Sequence, residues 1–239
     1  MRSSRGAGDA RQPGTVLITG ASKGLGRELA LAFAAAGHGV IIHGRDEEDL
    51  LQVRRDVTAS GVSCEIVRGD LGEEGTLDLL ERAADAGGVE ILVNNAGIYW
   101  NESLAAITSA SLRRVLEVNL VAPILVTQRL LPIFKRRGSG LVVTINSLAG
   151  LQGSDGEAAY CASKHGLRGF TRSFRFEALR DQILVLDVYV GAMNTEMVAA
   201  RKDPEKCIQP AEAADLIVGL CKGHPSMRLD EVHLGRRRY

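Results

Sequence analysis

From Thr15 nearly to the C-terminus, short apolar runs alternate with longer stretches in which apolar residues recur at helical spacing. The runs 15–19, 40–43, 64–68, 91–93, 141–146 and 183–190 are almost continuously apolar and rich in Val, Ile and Leu, the pattern of strands buried on both faces. The stretches between them predict helices up to 36, over 47–59, 73–86 and about 109–136, and from Glu157 to 179. A last short run, 232–234, predicts a strand closing the sheet edge. Regular strand–helix–strand alternation requires crossovers that lay helices on both faces of a parallel sheet. The expectation is one doubly wound α/β domain over residues 14–239, without linker, repeat or low-complexity break. Residues 1–13 are small, polar and basic, and predict a flexible tail.

Composition sharpens this picture. A chain of 239 residues can bury a substantial core, and 45% hydrophobic with only 4% aromatic content means packing by Ala, Val and Leu. Lys+Arg and Asp+Glu both number 29, so no net field draws the protein to nucleic acid or a membrane surface. No apolar run in the sequence has the length expected to span a bilayer. Cys64, Cys161, Cys207 and Cys221 form no C-x-x-C pair and no secretory leader precedes them. They predict free thiols in a reducing compartment, hence a cytoplasmic protein. The five His are scattered and predict no metal site.

In open α/β sheets ligands bind beyond the carboxyl ends of the strands. The chemistry-bearing residues fall there: residues 20–26 after the first strand, Arg45 after the second, Asp70 after the third, 94–97 after the fourth, Ser147 after the fifth and Gly191 after the sixth. The segment Gly20-Ala-Ser-Lys-Gly-Leu-Gly26, between a strand and a helix, can offer backbone N–H groups to a phosphate. Its spacing is G-x-x-x-G-x-G, not the commoner G-x-G-x-x-G. On the helix that opens near Glu157, Tyr160 and Lys164 are four apart and share a face. Free Tyr titrates near ~10, and an adjacent ammonium would favour the phenolate.

Taken together, residues 19–26, Asp70-Leu71, Asn94-Asn-Ala-Gly97, Asn119, Ser147 and Tyr160-x-x-x-Lys164, with thirteen positions from Ser147 to Tyr160, resemble the short-chain dehydrogenase/reductase family. The likeness covers nearly everything from Thr15 onward. It implies a Rossmann-type sheet of seven strands in the order 3-2-1-4-5-6-7. It also implies an oxidoreductase that interconverts a small carbonyl compound and a secondary alcohol with a nicotinamide cofactor. Asn119, Ser147, Tyr160 and Lys164 would form the catalytic tetrad, with Tyr160 as general acid/base. Ser147 would orient the carbonyl, Lys164 would hold the ribose and lower the tyrosine pKa, and Asn119 would keep a relay water. Gly20, Ser22, Lys23, Gly24, Leu25, Gly26, Arg45, Asp70, Leu71, Asn94, Ala96, Gly97, Val190, Gly191, Met193 and Thr195, with Tyr160 and Lys164, would bind the cofactor, Asp70 receiving the adenine.

Several further expectations follow from the resemblance. NADP(H) should be preferred over NAD(H): the position where an acid would bond the ribose 2′-hydroxyl holds Gly44, and Arg45 and Lys23 are placed to meet a 2′-phosphate. Val190 stands where relatives usually carry Pro, and Cys161 beside Tyr160 is expected to be inert. Ile98, Tyr99, Trp100, Leu148, Leu151, Met193 and Met197 would form an apolar substrate wall under a short lid at 196–210. The helices at 109–136 and 158–179 would pair copies into a homodimer or homotetramer. A scaffold or redox sensor that binds nucleotide without turnover is the alternative, disfavoured by the presence of both Tyr160 and Lys164.

Overall fold

The computed structural model describes residues 13–195, 206–222 and 227–236. Residues 1–12 of the tail expected over 1–13, most of the expected lid and Met197 therefore lie outside the described residues. Seven strands, β1 (Thr15–Ile18), β2 (Gly39–Gly44), β3 (Cys64–Arg68), β4 (Val89–Asn94), β5 (Gly140–Ser147), β6 (Ile183–Val190) and β7 (Glu231–Leu234), form one sheet in the order β3-β2-β1-β4-β5-β6-β7. Every pairing is parallel. The sheet is flanked by α1 (Gly24–Ala35), α2 (Glu47–Thr58), α3 (Glu74–Gly87), α4 (Ser109–Leu116), α5 (Ala122–Arg137), α6 (Ala158–Ala178) and α7 (Pro210–Cys221).

Successive strand residues point to opposite faces, so each apolar run feeds two cores. Val16, Ile18, Val40 and Ile42 pack beneath α1, α2 and α7, with Leu29, Phe33, Val53 and Ile217. Leu17, Ile41, Leu92 and Val142 face α3, α5 and α6, with Leu80, Leu130, Phe134 and Phe174. This is why the strand sequences show no polar alternation. Strand β4 begins two residues earlier than its apolar run suggests. Gly88, left-handed at φ 60, ends α3 and turns the chain straight into the sheet. At the other edge β6 and β7 end together, with Val190 paired to both Ser147 and Leu234.

The helix expected to run unbroken over 109–136 is interrupted. Thr108 caps α4 through a reciprocal bond with Ser111, and residues Glu117–Val121 then form a π turn before α5 begins. Such turns insert a residue into the helical ladder and re-aim the side chains they carry. The combined segment Ser109–Arg137 is the one described stretch long and apolar enough to cross a membrane, with mean hydropathy 1.3 in its best window. It is packed instead against the sheet, α3 and α6: Val115, Ala122, Leu130 and Phe134 are fully buried.

Candidate active site

All the strand ends open into one cleft of about 1120 Å³. Its floor is the turn after β1. Gly20 takes φ 65, and a Cβ on Gly26 would lie 2.1 Å from the Gly20 carbonyl oxygen. Only glycine fits there, so α1 starts hard against the turn. Asn95 clamps the same turn, its Nδ2 donating to the carbonyls of Thr19 (3.0 Å) and Gly20 (2.9 Å), while Thr19 Oγ1 accepts from the N–H groups of Asn95 and Ala96 at 3.1 Å each. From β2, His43 is buried with both ring nitrogens engaged. Nδ1 accepts from Gly20 N (3.4 Å) and Nε2 donates to Gly69 O (3.2 Å), an arrangement that requires the neutral ring. Burial pushes its pKa down to about 4.

Beyond β2 and β3 the cleft is charged. Arg45 is two-thirds exposed, with one guanidinium nitrogen 3.9 Å from the Asp70 carboxylate, and Lys23 is 3.2 Å from Asp49. Asp70 is gripped bidentately by Arg114 of α4 (3.1 and 2.6 Å) and accepts from Gly72 N at 2.9 Å. The Arg114 bonds, ahead of all else, hold the Asp70 carboxyl down at about 2. The nearby acids Asp46 and Glu47 do not pair with Arg45: Asp46 caps α2 and Glu47 pairs with Arg68.

The other end gathers the hydroxyls. Ser147 ends β5, its Oγ accepting from Ala149 N at 3.1 Å, and it lines the cleft together with Tyr160 of the first turn of α6. Lys164, one turn on, is buried and donates to Ile145 O at 3.2 Å. The expectation that Lys164 lowers the tyrosine pKa is not met by this arrangement. The ammonium lies 6.0 Å from the Tyr160 ring centroid, and burial dominates both groups. Burial raises the Tyr160 pKa, with Ser147 pulling it down and Glu157 adding to the rise. Burial also lowers Lys164 to about 8. Asn119 sits at the centre of the π turn, fully buried. Its Oδ1 accepts from Ile98 N (2.8 Å), and its Nδ2 donates to Ile98 O (2.9 Å) and Ser163 Oγ (3.2 Å). It fixes the Gly97–Ile98 backbone against α6 and does not itself line the cleft.

These contacts define a nucleotide-sized cleft with a phosphate-type turn at one end and a Ser/Tyr/Lys group at the other. The profile of the short chain dehydrogenase family matches residues 14–206. The chain belongs to the short-chain dehydrogenase/reductase family. Among relatives, 3-oxoacyl-(acyl-carrier-protein) reductase of Aquifex aeolicus is 32% identical over 230 residues, covering 90% of this chain and 93% of that protein. A metagenomic short-chain oxidoreductase crystallised with NADP superposes with a TM-score of 0.83 at 28% identity, over 95% of this chain and 98% of that one. An Agrobacterium tumefaciens 3-oxoacyl (acyl-carrier-protein) reductase with NADP bound gives 0.84 at 31% identity, over 92% of each.

In this dehydrogenase/reductase, Gly20, Ser22, Lys23, Gly24, Leu25, Gly26, Arg45, Asp70, Leu71, Ala96, Gly97, Ser147, Tyr160, Lys164, Val190, Gly191, Met193 and Thr195 all line the cleft, as their sequence positions predict. Asn94 does not. Its side chain turns away and donates to Thr127 Oγ1 (2.9 Å) under α5, and its neighbour Asn95 faces the cleft. Strand alternation explains the exchange, since adjacent residues point to opposite faces. Of the expected apolar wall, Ile98, Tyr99, Leu148 and Met193 line the cleft, whereas Trp100 and Leu151 do not. The Trp100 indole is held instead by Glu102 at 2.9 Å. Cys161 is buried, its thiol directed at Gln152 O, in keeping with an inert role. Sequence reasoning missed His43, Arg114 and Glu157, which also line the cleft, and placed Asn95 there only as part of the 94–97 segment. Among the described residues no cluster of His, Cys, Asp and Glu could hold a metal.

Proposed function

We propose that this oxidoreductase interconverts a carbonyl and a secondary alcohol by hydride transfer with NADP(H), Tyr160 acting as general acid/base. The observation that carries this is that Ser147 and Tyr160 line the same cleft, with buried Lys164 one turn further along α6. The cleft fits a dinucleotide: the Gly20–Gly26 contact seats the N-terminus of α1 hard against the turn that floors the cleft, and Arg45 and Lys23 stand at the β2 end. NADP is bound in the two related structures above, which supports the choice of cofactor. Bound NADPH would supply the hydride to the carbonyl carbon.

The protein's part is proton and charge. As negative charge grows on the carbonyl oxygen, the Ser147 and Tyr160 hydroxyls donate to it, and the Tyr160 proton passes to that oxygen to complete the alcohol. A phenol whose pKa is raised by burial keeps its proton until the oxyanion forms, which suits the reductive direction. Lys164 carries a positive charge below about pH 8 and lies where ribose hydroxyls would accept from it. We also read residues 14–239 as one domain, working in the cytoplasm.

The test is a panel of ketones, aldehydes and alcohols with NADPH, NADH and their oxidised forms, read by absorbance of the reduced cofactor, for the wild type and Tyr160→Phe. General acid–base contributions of about 10²–10⁴-fold set the expected fall in kcat, with cofactor Kd nearly unchanged. A variant that keeps most of the turnover on a good substrate would show the assignment to be wrong.

A further inference from the structure

The substrate end of the cleft contains a carboxylate that the hydride-transfer chemistry does not require. Glu157 is the residue before α6 and three before Tyr160. The residues that cap helix N-termini through a side-chain acceptor are chiefly Ser, Thr, Asp and Asn. Glu157 makes no such bond. Its Oε1 accepts instead from the Tyr99 hydroxyl at 2.7 Å, and the Tyr99 ring meets the Tyr160 ring edge-on at 5.3 Å. The carboxylate is thus free of the helix end and fixed relative to the residue that moves the proton. Both Tyr99 and Glu157 line the cleft beside Ser147, Gln152 and Tyr160. Among the described residues no Lys, Arg or His forms an ion pair with Glu157, and Lys164 is turned to Ile145 O. A carboxylate offers about four lone-pair sites, of which Tyr99 takes one.

An acceptor-only group at this point discriminates between substrates by charge and by hydrogen-bonding sense. We propose that Glu157, held by Tyr99, is a specificity-determining residue that favours neutral carbonyl compounds carrying a hydroxyl donor near the reacting carbon and rejects those carrying a carboxylate there. The proposal deepens the assignment of Tyr160 as acid/base and rests on it for turnover. The donor would bond a remaining carboxylate lone pair, whereas a carboxylate of the substrate would meet a like charge.

Three ketones of similar size separate the effects: 4-hydroxy-2-butanone, 2-pentanone and acetoacetate. For the wild type with NADPH, kcat/KM should fall in that order. In Glu157→Gln the acetoacetate to 2-pentanone ratio should rise about tenfold, and the 4-hydroxy-2-butanone to 2-pentanone ratio should fall, a tenfold change being about 1.4 kcal/mol. Tyr99→Phe, which frees the carboxylate without removing it, should shift both ratios part of the way. The same ligands titrated calorimetrically into the enzyme–NADPH complex read discrimination without turnover. If the wild type reduces none of the three yet binds them in the stated order, the acid/base assignment fails and the role of Glu157 stands. Ratios unchanged in Glu157→Gln, or equal binding of all three by the wild type, would overturn the proposal. NADPH affinity of each variant, read by fluorescence, reports that the fold is intact.

Discussion

His43 ties the end of β2 to the turn that floors the cleft, and its buried neutral ring makes the stability of this region pH-dependent. The ordinary imidazole pKa of 6.5 is pushed down to about 4 in the folded protein. As pH falls, the unfolded chain takes up this proton first, so stability is lost between about 6.5 and 4. Weighting both states by their protonation, this one group removes about 2 kcal/mol between pH 7 and pH 5. Asp187 works in the opposite sense. It is fully buried on β6, and burial raises its pKa to about 6, so the folded state holds its proton where the unfolded chain has released it. That returns roughly 1 kcal/mol over the same range, and the wild-type curve alone would hide the histidine. The difference between wild type and His43→Gln removes the Asp187 contribution, which is common to both. At pH 7 the variant should be less stable by about 1–3 kcal/mol, for a buried N–H or acceptor left without its partner. By pH 5 the gap should have narrowed by about 2 kcal/mol, equivalent to about 4–8 °C in Tm for a chain of this size. Urea unfolding of both proteins without cofactor, followed by far-UV circular dichroism from pH 5 to 7.5, measures it. Parallel curves would refute the reasoning.

Arg45→Ala should weaken NADPH binding about tenfold and leave NADH almost untouched, the lower end of what a charge-assisted bond contributes, because this guanidinium is exposed and already near Asp70. Fluorescence titration decides it, and equal wild-type affinity for NADPH and NADH would remove the basis for the claim. The exposed Phe176 on α6 and Leu112 on α4 mark apolar surface on the two helices expected to pair copies, so light scattering at micromolar concentration should give a dimer or tetramer, and a monodisperse monomer would contradict this.

The sheet was legible because strands buried on both faces leave an unmistakable apolar run, and all seven were located within two residues at either end. Helix α7 was not anticipated. Its Ala213, Ala214, Ile217 and Val218 pack on α1, but small residues give a weak periodic signal. The π turn was equally invisible, since its residues read as ordinary helix. At the site, Gly26, Ser147 and Tyr160, recognised by type and spacing, came to the cleft, whereas Asn119 lies behind it, bonded to Ile98. The misses were of two physical kinds. Asn94 and Asn95 are the same residue type, and which one faces the cleft depends on strand phase at the last position of β4. Arg114 and Glu157 act through partners distant in sequence, Asp70 forty-four positions away and Tyr99 fifty-eight, and no local pattern announces such pairs.

The π turn has a consequence for the phase of the whole α4–α5 rod. At roughly 100° per residue, an unbroken α-helix would place Phe134 about 100° around the axis from Val115. Both side chains are nonetheless fully buried. The residue inserted by the π turn takes up rotation of about that size, so the inward stripe beyond Ala122 is set by the same irregularity that turns Asn119 toward Ile98. One wide turn therefore keeps time for two mechanisms, the backbone clamp at the cleft and the seating of α5 on the sheet, and a change in helical count there cannot alter one without rotating the other.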